Sequence, residues 1–243
     1  MAIFNHNHIP IEGQTILLTG GSEGTGLCAA RIFSRKGANV IIVSRSHVKL
    51  EEAVQSIKAP EIVRCLAGLS TSMFWTDDNT LEAARHNMDV DYSGSAEMSR
   101  AIMRAWLLPG QGKQQQSSTP TRRPTPKDIT FNGSVLSTFS PAGHGTYCPS
   151  KFTLRALADA LAMEARLYPD VPIEVHLVMP NSITTAGYER ENETKPAIID
   201  PEVVARLAIE GMEKGRYFIT TSFLGDLMPW GAMNDLPRNN WAR

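Results

Sequence analysis

Three cysteines in 243 residues, Cys28, Cys65 and Cys148, are odd in number and show no CxxC pairing. That argues against a disulfide framework and against a zinc site, and it suits a reducing compartment. Strong charge of either sign is missing too: 24 basic and 25 acidic residues leave a formal net charge of −1. Such a balance offers no positive field for nucleic acid or an acidic membrane surface. No apolar run approaches the roughly 18 residues of a membrane span. The opening MAIFNHNHIPIEGQ has no charged-then-apolar signal pattern. His6 and His8 belong to this terminal stretch and are not read as ligands, so no metal is expected. With 42% hydrophobic residues the chain can bury a sizeable core, and by itself it reads as a soluble protein.

What is present is an alternation of strands and helices. QTILLT (14–19) is a short apolar run ending in glycines, and LCAARIFSRKG after it has helical spacing, with Gly37 as a stop. NVIIVSR (39–45) is a β-branched run of the kind buried on both faces, and SHVKLEEAVQSIKA then predicts a helix closed by Pro60. Further strands are expected at 61–68, in DITFNGSVLS, in IEVHLVMP and in YFITTSFLG. Helices are expected over LEAARHNMDVDYSGSAEMSRAIMRAWLL, KFTLRALADALAMEARLY and PEVVARLAIEGMEKG. This order predicts one α/β domain over 1–243, doubly wound around a mostly parallel sheet. Residues 109–127, rich in proline, glutamine and serine, read as a flexible surface insertion.

The glycine cluster Thr19-Gly20-Gly21-Ser22-Glu23-Gly24-Thr25-Gly26 lies between a predicted strand and a predicted helix. Glycines there let the backbone turn tightly and let a pyrophosphate approach the helix amides. Gly20, Ser22, Glu23, Gly24 and Gly26 are therefore candidate dinucleotide contacts. At the end of the second strand an acidic residue would hold a ribose hydroxyl, but the chain has Ser44-Arg45-Ser46. Arg45 can pair with a 2′-phosphate, which favours NADPH over NADH.

In GTYCPSKF (145–152) a tyrosine and a lysine stand four apart, with Pro149 where a helix begins. Four-residue spacing on a helix puts Tyr147 and Lys151 on one face, and proline is tolerated in a first turn. Bringing a phenol from about 10 to neutrality takes about 4 kcal/mol. One cation about 4 Å away at an effective dielectric of about 20 supplies that much. The expectation is that Lys151 lowers the tyrosine into a usable range.

Taken together, TGxxxGxG, the turn Cys65-Leu66-Ala67-Gly68, a serine ahead of the tyrosine, and YxxxK resemble the short-chain dehydrogenase/reductase family over almost the whole chain. The resemblance implies that Tyr147 protonates a ketone oxygen. Ser134, thirteen residues earlier, would hydrogen-bond that oxygen, with Ser137 as the alternative, and Lys151 would hold the nicotinamide ribose. It adds Ala67, Gly68, Pro180, Ile183 and Thr185 as cofactor contacts, together with Tyr147 and Lys151 themselves. The family's helix asparagine, fourth of its catalytic set, falls on Asp91 in MDVDYSG. Its backbone carbonyl is the part the family uses, and the carboxylate is expected to alter the charge around Lys151.

Within the family, LRALADALAMEARLYPD, GYERENETKP and ITTSFLGDLM are similar to the fungal 3-ketodihydrosphingosine reductases. That implies reduction of 3-ketosphinganine with NADPH at the cytosolic face of the endoplasmic reticulum, a long-chain keto-lipid as partner, and pairing as a homodimer. The apolar-rich stretch after Pro180 would then flank an opening for the acyl tail. Two rivals remain: another lipid or steroid ketone as substrate, or an inactive relative serving as a binding or regulatory subunit. Between Arg45 and Ala67 there is room for one helix and one strand only, so one strand–helix unit is expected to be missing at the sheet edge, exposing the second strand. The chain also ends at RNNWAR, where the fungal relatives continue into a membrane-anchoring tail, so a truncated form is expected.

Overall fold

A computed structural model describes residues 10–57, 61–62, 71–108, 126–183 and 199–221. Each stretch of short, β-branched apolar sequence among them forms a strand. β1 (Thr15–Thr19) pairs in parallel with β2 (Asn39–Val43), and β2 with β3 (Glu61–Ile62). β4 (Lys127–Asn132), β5 (Ile173–Met179) and β6 (Phe218–Thr220) make a second parallel sheet with β5 in the middle. β5 is buried from Val175 to Met179, as a central strand covered on both faces must be.

The expected exposed edge at β2 is corrected. Ile41 stands opposite Glu61 and Ile42 opposite Ile62, so β3 occupies the position beside β2 and takes up its hydrogen bonds. Among the described residues no strand joins β1 to β4. The fold is doubly wound, and its described strands form two parallel sheets of three.

Helices cover both faces. α1 (Gly24–Arg35) and α2 (His47–Ile57) pack Ala30, Phe33, Leu50, Ala53 and Ile57 against Val40 and Ile42 of β2. α3 (Thr80–Asn87) runs through a π-helical turn (Met88–Ser93) into α4 (Gly94–Leu107). With α5 (Cys148–Glu164), α4 covers the second sheet through Met103, Leu154 and Ala158 against Ile129, Phe131, Val175 and Leu177. α6 (Pro201–Glu213) starts where Asp200 accepts from the Glu202 amide at 2.7 Å and Pro201 opens the first turn. Ile209 of α6 joins the core of the first sheet, and Lys36–Glu213 (2.5 Å) closes the seam between α1 and α6. The two sheets are thus held by a helix pair as well as by the chain between them. The expected insertion at 109–127 lies almost wholly outside the described residues.

Candidate active site

The loops after β1, β2, β4 and β5 all leave the carboxyl ends of parallel strands, where open α/β sheets place their ligands. Gly20 and Gly24 adopt left-handed backbone angles (φ 68° and 54°). A Cβ on Gly26 would run into the Gly20 carbonyl oxygen, with Gly21 Cα 3.1 Å away, so the turn closes only around glycine. Behind it, the Gly20 amide donates to the Val43 carbonyl (2.7 Å), and Ser22 and Ser44 share a buried hydroxyl–hydroxyl bond of 2.6 Å. These bonds lock the loop to the end of β2.

α1 begins at this loop without a side-chain cap on its first amides. In its first turn the buried Thr25 hydroxyl has no partner, a polar atom the sequence reading passed over. Glu23 is engaged by Lys49 at 2.5 Å, which offsets a carboxylate that would repel a phosphate. Arg45 lies exposed just past β2.

In the second sheet's half, Tyr147 is the residue preceding α5, and Lys151 stands in the first turn, its amide bonded to the Tyr147 carbonyl (3.4 Å). Pro149 lies in that turn, as its sequence position requires. The Lys151 ammonium is 5.5 Å from the centre of the Tyr147 ring. Ser134, first residue of the turn after β4, hydrogen-bonds the Tyr147 hydroxyl and accepts from the Leu136 amide at 3.1 Å. Ser137 is removed as the alternative: it is fully buried, and its hydroxyl donates to the Ser134 carbonyl (2.6 Å). The Val135 amide donates to Pro180, which brings the turn after β5 alongside Ser134. Ile183 bridges to Ile199 nearby in sequence, whereas Ala67, Gly68, Thr185 and the stretch after it lie outside the described residues.

Asp91 sits in the π-helical turn, buried, and its carboxylate touches Lys151 directly. Nζ donates to Oδ1 at 3.2 Å and to the Asn132 carbonyl at 3.2 Å, and Ser150 Oγ donates to Oδ2 at 2.7 Å. π-Helical turns favour functional positions because they rotate side chains off the regular helical spacing.

The expectation that Lys151 brings the tyrosine down to neutrality is corrected. Burial pushes the Tyr147 phenol up, Lys151 pulls it down, and Asp91 pushes it up again, leaving it above the ordinary tyrosine value. Burial presses Lys151 toward neutrality, but Tyr147 and Asp91 outweigh it and hold the ammonium charged.

Asn87 is a further residue the sequence reading missed. It is fully buried, and its amide donates to the Thr71 and Thr146 carbonyls (3.1 and 3.0 Å), bracing the loop that ends in Tyr147. Trp75 lies against that loop, 3.2 Å from where a Gly145 Cβ would be, and Phe74 and Trp75 are 64% and 63% exposed. His176 is buried and links the Arg216 carbonyl (2.6 Å) to Asp128 (3.3 Å), tying β4, β5 and the approach to β6.

A model of the short chain dehydrogenase family matches residues 14–67. The chain is 45% identical to a 3-ketodihydrosphingosine reductase of Neurospora crassa, over 100% of this chain and 78% of that protein. It is 31% identical to the 3-ketodihydrosphingosine reductase of Aspergillus fumigatus, over 98% and 79%. In fold it is similar to a short chain dehydrogenase of Shigella flexneri complexed with NADP, with a TM-score of 0.72, 17% identity, and coverage of 89% and 99%. A short-chain dehydrogenase of Sphingobium yanoikuyae in complex with NADPH gives a TM-score of 0.72 at 19% identity, over 92% and 96%.

Proposed function

The chain belongs to the short-chain dehydrogenase/reductase family, and from that premise we propose that it reduces the ketone of 3-ketosphinganine to a secondary alcohol with NADPH. The observation that carries this reading is the meeting of Ser134, Tyr147 and Lys151 at the start of α5. The substrate is the one named for its fungal relatives.

The residues present fit the cofactor. The glycine turn closes so tightly that its own backbone fills the place of a Gly26 Cβ, the first α1 amides have no side-chain cap, the Thr25 hydroxyl has no partner, and Arg45 is exposed to meet a 2′-phosphate. When bound, NADPH supplies a hydride to the carbonyl carbon. Ser134 and Tyr147 hold the ketone oxygen, and as negative charge grows there the Tyr147 hydroxyl gives up its proton to it. A phenol above its usual range is still far more acidic than the alcohol being formed, so the transfer runs downhill. Lys151 stays charged throughout and stabilises the phenolate left behind.

Phe74 and Trp75 supply apolar surface beside the tyrosine loop, which supports a substrate with a long hydrocarbon tail and work against a membrane such as the endoplasmic reticulum. Among the described residues no helix is long and apolar enough to cross a membrane. The test is NADPH oxidation with 3-ketosphinganine set against short-chain ketones. Turnover should favour the long chain, and Tyr147→Phe should reduce it by about 100- to 10,000-fold. Preference for a short ketone would remove the lipid, and absence of any NADPH binding would favour a regulatory subunit.

A further inference from the structure

A buried lysine that touches a carboxylate is a different instrument from one that faces a tyrosine alone. Lys151 and Asp91 are 6% and 0% exposed in their side chains, and the carboxylate is held on both oxygens, by Lys151 at 3.2 Å and Ser150 at 2.7 Å. Among the described residues, groups facing this cluster come from three elements. Asp91 comes from the π-helical turn, Tyr147, Cys148, Ser150 and Lys151 from the start of α5, and Ser134 with the Asn132 carbonyl from the end of β4.

We infer that Asp91 is a positioning residue that balances the Lys151 charge, so that the Tyr147–Lys151 pair holds its full complement of protons into the alkaline range. This rests on the proposed reductase reading for its catalytic consequence only. With Asp91 ionised, the buried ammonium and carboxylate and the half-buried phenol beside them sum to neutral. Withdrawing a proton from either the phenol or the ammonium then leaves a net negative charge in a buried site. Without the carboxylate the same step takes the site from positive to neutral, which is easier. The sign is therefore the same whichever of the two groups the proton leaves. Asp91 extends the pH range over which the site can donate, and the downward pull of Lys151 on the phenol is reduced accordingly.

The test uses Asp91→Asn, which keeps the shape and removes the charge, and Ser150→Ala, which keeps the charge and removes one hydrogen bond. In Asp91→Asn the alkaline limb of kcat/KM for ketone reduction should move to lower pH by about one unit, while Ser150→Ala leaves it in place. The ultraviolet tyrosinate titration of the protein without cofactor, with Tyr147→Phe as reference, should show the same displacement and needs no turnover. If Asp91→Asn does not fold, Asp91→Ser, which also removes the charge, takes its place in the same titration. An unmoved or upward-moving limb, or a displacement in Ser150→Ala equal to that in Asp91→Asn, overturns the inference. A displaced titration in a protein that reduces no ketone sinks the reductase reading and leaves the charge balance standing.

Discussion

Replacing Lys151 by methionine keeps most of the side-chain volume and removes the cation. The structure sets the size of the effect. Asp91 is fully buried and Lys151 nearly so, their charged atoms 3.2 Å apart, so the substitution strands a carboxylate where water cannot solvate it. Breaking a buried pair from one side destabilises by about 3–5 kcal/mol. For a chain of this size each kcal/mol lowers Tm by about 2–4 °C, so Lys151→Met should melt about 6–20 °C below wild type. Adding Asp91→Asn removes the stranded charge, and neutral replacement of a buried pair is often nearly neutral in stability. The double variant should therefore recover most of the lost Tm while staying as inactive as the single one, because the phenolate formed in reduction still lacks its cation. Scanning calorimetry at neutral pH measures the stabilities, and NADPH oxidation measures the turnover. A single variant that melts within about 2 °C of wild type, or a double variant no more stable than the single, would refute the idea that Asp91 and Lys151 face each other as charges.

Two further outcomes test the cofactor side. Gly26→Ala forces a methyl group against the backbone of Gly20 and Gly21. Overpacking of about 1–3 kcal/mol should weaken NADPH binding by about 5- to 150-fold in a fluorescence titration, and unchanged affinity would mean the turn does not form the phosphate cradle. Arg45→Ala should weaken NADPH by roughly 10- to 100-fold, the worth of a charge-assisted hydrogen bond, and leave NADH nearly untouched. Equal loss for both cofactors would remove Arg45 from the 2′-phosphate.

The strand–turn–helix at Thr19–Gly26 and the Tyr147–Lys151 pair were legible because their meaning is local: glycine spacing and one helical turn suffice. Choosing Ser134 over Ser137 needed the fold, since three residues apart in a turn they point to opposite surroundings, one hydroxyl to Tyr147 and the other into the core. The edge of β2 was misjudged because the length of the chain between two motifs does not say which strands pair. Pairing with β3 is decided by which strand can reach the open hydrogen bonds. Asn87 gave no signal at all, lying 59 residues from the Thr146 carbonyl that it holds.

Local order along the chain thus determined the α/β class, the glycine turn, the one-turn spacing of Tyr147 and Lys151 and the place of Arg45 just past β2, all readable at the spacing of neighbouring residues. The protonation of that pair was decided only when folding carried Asp91 to Lys151 across 60 positions and removed both from water. Burial and an opposing charge act through space, and their balance depends on distances that exist only after the chain has closed upon itself.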